Sequence, residues 1–196
     1  MGVANEVKDS ELDDDLDTAV FARVLINVLN GIGRGSAEAS KFHDFMIGAL
    51  EFIFYPNLIY PEKEAEINDG RKRIDILYTN NGNGGFFFRR RASANVAANN
   101  IVVECKNYMK EVVNPELDQI CGRFSPSRGQ LGFLIARSLD NRSRFIERCK
   151  DTVHQNRGYV LLFEDRDMIE MLEYIEKGAR PSIDRKLEQM FDEIIS

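Results

Sequence analysis

The chain lacks most of what marks a secreted or zinc-bound protein. Its 196 residues hold three cysteines, Cys105, Cys121 and Cys149, with no CxxC pair among them. An odd, scattered set suits a reducing compartment better than a disulfide framework, and it argues against a zinc module. Histidine is scarcer still: His43 and His154 are the only two. Neither has a spacing that suggests a metal site or a catalytic dyad, so both are read as surface or satisfied core positions. The longest apolar run, Phe45 to Tyr55, contains Glu51 and is too short to span a bilayer. The first twenty residues show no basic region followed by an apolar one, so no signal peptide is expected. Positive charge is also in deficit, with 26 Lys and Arg against 32 Asp and Glu, a net −6. That argues against a generic basic nucleic-acid coat but leaves room for a local basic groove. The expectation is a soluble cytoplasmic protein without a membrane partner.

What is present supports a folded core. Apolar residues make up 43% and charged residues 30%, at a length suited to one domain. Charge is uneven: Glu11 to Asp17 holds five acids in seven residues, whereas Arg71-Lys72-Arg73 and Arg89-Arg90-Arg91 are basic. Residues 1–17 read as an acidic flexible tail and 18–196 as a single domain.

Hydrophobic periodicity places the elements. A helix is expected over Thr18 to Asn30, broken by Gly31-Ile32-Gly33-Arg34-Gly35, a cluster that is not a phosphate-binding GxGxxG. Ser36 or Ser40 is expected to cap a second helix that Pro56 ends. Leu58 to Ile67, interrupted at Pro61, and Lys72 to Tyr78 read as strands joined by the turn Asn68-Asp69-Gly70. Phe86-Phe87-Phe88 is expected to form a short strand, and Ile101 to Lys106 the next. Helix, strand, helix, strand and two closing helices then follow. This order predicts an α/β fold whose parallel portion is built on right-handed crossovers.

The informative stretch is Ile101-Val102-Val103-Glu104-Cys105-Lys106-Asn107. On a strand, Val102, Glu104 and Lys106 share one face and Val103 and Cys105 the other. Desolvating a carboxylate and an ammonium side by side is costly without partners. Asp75, in the apolar run Arg73 to Tyr78, is a second buried-looking acid. Acids converging in an interior repel one another unless a cation sits among them. A hard cation such as Mg²⁺ wants oxygen ligands and is often held by only one or two carboxylates. Asp75 and Glu104 suit it, and the Cys105 carbonyl could supply a further oxygen. Lys106 could then orient a water or neutralise charge building on a phosphate.

Glu51 is the one charged residue in its apolar run. It either sits at a helix edge in water, pairs with a cation or belongs to the site. Gln119 and Arg123 share a helical stripe after the key strand and either reach a phosphate or form an exposed flank. Phe86 to Arg91 interleaves aromatics and cations; it could grip nucleic acid, or pack its phenylalanines and expose its arginines. Arg71, Lys72, Arg73, Arg89, Arg90, Arg91, Asn107 and Arg123 are the candidate nucleic-acid contacts.

Asp75, a gap of 28 residues, then Glu104-Cys105-Lys106, with Glu51 upstream and Gln119 downstream, resembles the PD-(D/E)xK nuclease superfamily. The resemblance covers about residues 36–163; Ile74 stands where the family often has proline. It implies a restriction-endonuclease-like mixed β-sheet flanked by helices, here with extra N- and C-terminal helices. It implies that Asp75 and Glu104 bind Mg²⁺, with Mn²⁺ able to substitute, and that Lys106 assists the attacking water. It further implies that Glu51 is the helix acid of such sites and that Gln119 is the glutamine found after the ExK strand in some branches. The expected activity is endonucleolytic hydrolysis of DNA, in defence or repair. Cutting both strands would need a homodimer or two sequential nicks. The alternative is a catalytically silent or partner-activated nucleic-acid-binding module on the same fold.

Overall fold

Asn68-Asp69-Gly70 sets the first strand pairing. In the computed structural model, which describes residues 17–108 and 114–196, these residues have φ of 55°, 56° and 76°. This left-handed backbone is the one Asn, Asp and Gly tolerate best. The turn joins β1 (Leu58–Ile67) to β2 (Lys72–Asn80) as an antiparallel hairpin. The interruption expected at Pro61 is a bulge, with the register shifting between Ile59 and Glu62. β3 (Asn100–Lys106) pairs antiparallel with β2; β4 (Leu131–Ala136) and β5 (Tyr159–Glu164) then add in parallel. The chain is therefore α/β, with a five-stranded mixed sheet in the order β1-β2-β3-β4-β5.

Burial follows the pairing. In β2, Ile74, Ile76, Tyr78 and Asn80 are buried while the residues between them are not. Every residue of β4 is buried, as befits a parallel strand covered on both faces. The crossovers between the parallel strands run through α4 (Asn114–Cys121) and α5 (Arg142–His154), which pack against each other on one face of the sheet. The other face takes α2 (Ala39–Phe54): the Tyr78 hydroxyl donates to the Ile47 carbonyl at 2.8 Å. α1 (Thr18–Gly31) and α6 (Asp165–Glu176) pack with α2, and α7 (Pro181–Ile195) packs on α5 and β5. No helix among the described residues is long and apolar enough to cross a membrane.

Several expectations need correction. Asp17 is no part of a loose tail: its carboxylate accepts the Val20 amide at 3.0 Å and caps α1. Residues 1–16, the rest of that expected tail, lie outside the described residues. Neither Ser36 nor Ser40 caps α2, which continues from a 3₁₀ turn over Ser36–Glu38 with Glu38 at the cap position. Phe86 to Phe88 is not a strand but the start of helix α3 (Gly85–Ala92). Phe86 and Phe87 are both buried and Phe88 is not, which departs from the alternation of a strand with one covered face. The Phe86 amide donates to Asp184 of α7 at 2.6 Å, and the Phe86 ring packs edge-on against Phe191.

Three helices meet at one carboxylate. Asp167 accepts the Glu164 amide at 2.9 Å, Arg142 of α5 at 2.7 Å and Lys186 of α7 at 2.9 Å. Burial works to raise its pKa, but these donors outweigh burial and hold the carboxyl below its ordinary 3.8. A depressed carboxyl stabilises the fold above the unfolded-state value and loses that contribution as pH falls through the folded-state pKa. Asp167→Asn is therefore expected to lower the unfolding free energy by about 3 kcal/mol at neutral pH. In denaturant titrations, the gap to the parent protein should shrink as pH falls below 3.8.

Candidate functional site

The register of the central strands assembles the site. Ile76 lies opposite Val103 and Leu77 opposite Val102. One step further along the same register, Asp75 faces Glu104, and opposed residues project from the same face. Lys106, two residues on, joins them. The backbone ladder has stopped by this point, and the Asp75 carboxylate takes over: its Oδ2 accepts the Cys105 amide at 2.9 Å.

Glu104 is fully buried and Lys106 is 8% exposed. Lys106 Nζ donates to Glu104 Oε1 at 2.7 Å and to Gln119 Oε1 of α4 at 3.1 Å. Gln119 Nε2 closes the triangle by donating to the same Glu104 oxygen. Glu104 Oε2 is left buried with no hydrogen-bond partner. Burial pushes the Glu104 carboxyl above its ordinary pKa and the Asp75 charge adds to that, against the pull of Lys106. Burial lowers the Lys106 pKa, but Glu104 more than offsets it and keeps the ammonium charged. Two carboxylates thus share one ammonium, and the uncompensated charge lies against a bare oxygen.

His43 of α2 completes the wall. Its Nε2 lies 3.2 Å from the Cys105 carbonyl and 3.8 Å from Asp75 Oδ2. With Asp75, Glu104, Lys106, Gln119 and Tyr108, it lines a cavity of about 280 Å³. Among the described residues, no three His, Cys, Asp or Glu side chains cluster tightly enough to cage a metal by themselves. Mg²⁺ does not require that: it is usually held by one or two carboxylates and keeps several waters. Asp75, the orphaned Glu104 Oε2 and the Cys105 carbonyl, which has a second lone pair beside the one facing His43, fit such an ion.

Of the expected site residues, Asp75, Glu104, Cys105, Lys106 and Gln119 are brought together. Glu51 is not. It lines a separate cavity with Tyr55, Leu58 and Tyr60. Arg123 is close enough for its charge to favour ionised Glu104, while its Nε donates to the Arg73 carbonyl. Lys72 donates to the Gly122 carbonyl at 3.2 Å, just past the C-terminus of α4. Arg71 and Arg73 stay exposed beside Asp69, Glu64 and Glu66.

The remaining candidate contacts have structural duties. Arg89 is bound to Asp184 and Glu188 of α7, and Arg90 to Glu188. Arg91 donates to the Asn80 carbonyl at 3.0 Å. Asn107 donates to the carbonyls of Gly33 and Gly35 at 3.0 and 2.9 Å and is buried. His43 is the site residue that sequence reasoning missed, because its neighbours lie more than thirty positions away and no local spacing marks it.

No protein-family model, curated protein or solved structure matches the chain.

Removing the shared cation should expose the electrostatic cost. Lys106→Met leaves Glu104 buried beside Asp75 without its hydrogen-bonded counter-charge and is expected to destabilise the protein by about 3 kcal/mol. The double change Glu104→Gln with Lys106→Met should recover most of that loss in urea unfolding.

Proposed function

We propose that the chain is a metal-dependent phosphodiesterase of the restriction-endonuclease-like PD-(D/E)xK type, acting on DNA. The observation that carries this reading is Glu104: a fully buried carboxylate with one oxygen bound by Lys106 and Gln119 and the other bound by nothing. A carboxylate kept in that state costs stability, and a site where such a group faces Asp75 is one where a cation is the missing partner. A mixed sheet with two antiparallel pairings followed by two parallel ones supports the same resemblance. DNA as the substrate rests on the resemblance alone.

Asp75, Glu104 and the Cys105 carbonyl would hold Mg²⁺ or Mn²⁺. The ion would supply a water of lowered pKa and neutralise charge building on the phosphate. Lys106 is fixed by two acceptors, so its ammonium points into the cavity without sampling many rotamers. There it hydrogen-bonds the attacking water and meets negative charge as the P–O bond to the leaving group breaks. Gln119 ties Lys106 to Glu104 and keeps the two in register. Asp75 holds the Cys105 amide, so the carbonyl of the same residue is aimed by the same contact.

Incubation of supercoiled plasmid with Mg²⁺ or Mn²⁺ tests the reading. Wild-type protein is expected to cut, and Asp75→Ala and Lys106→Ala to lose about 10²-fold or more in rate. Equal background in all three proteins, with no metal binding by calorimetry, would overturn it. Because the Glu104 carboxyl holds its proton above the ordinary value, metal and proton compete there. Apparent metal affinity is expected to fall as pH is lowered, with protons released on binding, which calorimetry in two buffers reads directly.

A further inference from the structure

Glu51 lies outside the cavity around Glu104, and its surroundings are those of a separate binding site. It lies on the C-terminal half of α2, eight residues beyond His43, which is about 12 Å of helix rise. Its cavity, about 370 Å³ in volume, shares no residue with the one around Glu104. The lining includes Tyr55, Leu58, Ile59, Tyr60 and Asn81. Tyr60 is 77% exposed and Tyr55 56%. Among the described residues, no hydrogen bond or ion pair reaches the Glu51 carboxylate. At this end of α2, Arg180 donates to the carbonyls of Phe52 and Ile53 at 3.2 and 3.0 Å.

Tyr60 is held in an unusual conformation. Its φ is +51°, a left-handed value uncommon for a bulky residue, at the bulge where β1 slips register against β2. The bulge therefore turns a large aromatic outward at the edge of the sheet, where burial would give no return. Strained, exposed positions of this kind cluster at binding sites.

We infer that this cavity binds an arginine side chain presented by a partner polypeptide. A carboxylate flanked by exposed phenol rings is complementary to a flat cation: the acid accepts two N–H bonds, and the guanidinium lies against the aromatic faces. The apolar Leu58 and Ile59 suit the aliphatic stem of the same side chain. Nucleic acid is the poorer fit, because Glu51 repels phosphates and the pocket's lining carries no cation. The cavity volume lies within the range of roughly 300–1,000 Å³ usual for ligand pockets. Binding here needs neither a metal nor DNA and stands independently of the nuclease reading.

The experiment is an NMR titration of the full chain, metal-free, with N-acetyl-arginine amide. N-acetyl-citrulline amide, which has the same shape without the charge, is the control. Arginine is expected to give saturable shifts at the amides of Glu51, Tyr55, Ile59, Tyr60 and Asn81, and citrulline to bind about tenfold more weakly or less. Glu51→Gln should abolish the difference between the two. Tyr60→Asn, which tolerates the left-handed backbone at this exposed position, should weaken arginine binding. The proposal falls if arginine gives no saturable shift, if citrulline matches it, or if Tyr60→Asn and Glu51→Gln bind as the parent does. It falls equally if a short single-stranded oligonucleotide shifts the same amides and arginine does not.

Discussion

The backbone ladder between β2 and β3 is in force through Ile76 and Val103, and beyond it the amide of Cys105 finds its acceptor in the side chain of Asp75. Most of the site follows from that change of partner. A strand in the middle of a sheet needs acceptors for its amides on both sides. β3 keeps its parallel bonds to β4 through Lys106, while its other edge is released from β2. Released, that edge can present carbonyl and carboxylate oxygens to a cavity instead of to a neighbouring strand. Asp75 thus does two jobs at once: it satisfies a buried donor, and it brings negative charge to within reach of Glu104.

The same accounting explains where the cations went. Three arginines in a row on α3 look like a phosphate grip in the sequence, yet two of them are bound to acids of α7 and the third to a backbone carbonyl. Arg142 and Lys186 are drawn into the interior around Asp167. Among the candidate contacts, Arg71 and Arg73 stay exposed in loose pairs with acids of the hairpin, and the Arg123 charge acts on Glu104. With net charge −6, these few cations are the ones the proposed DNA contact would rely on, and such a contact would weaken steeply with salt.

What could be read in advance was what rests on local chemistry. The hairpin turn, the β1 bulge at Pro61 and the alternation placing Glu104 with Lys106 depend on neighbours a few positions apart. α3 depends on Asp184 and Phe191, about a hundred residues downstream, and three successive phenylalanines fit a strand until those partners are known. His43 has the same difficulty: a lone histidine on an amphipathic helix has no signature until the sheet it faces is built. Glu51 was legible as an anomaly, a charge in an apolar run, but the run alone does not say which end of the helix meets the cavity around Glu104. The buried Arg137 was not legible at all, since nothing around it in the sequence predicts a cation in the core.

Arg137 donates to the Ile32 carbonyl at 3.0 Å and to the Asn107 side chain at 2.9 Å, and its Nε to Asp165 at 2.7 Å. Asn107 in turn clasps Gly33 and Gly35, and the Gly35 amide returns a bond to the Asn107 carbonyl at 2.7 Å. Asn107 is the residue after Lys106. The glycine-rich link between α1 and α2 is thereby stitched to the last peptide of the central strand, with the ends of β4 and β5 in the same seam. Lys106 consequently has an anchor on each side: its own acceptors in front and a knot of four chain segments behind. A displacement of the link after α1 would therefore pull on the residue next to Lys106, tying the N-terminal helix to the candidate site.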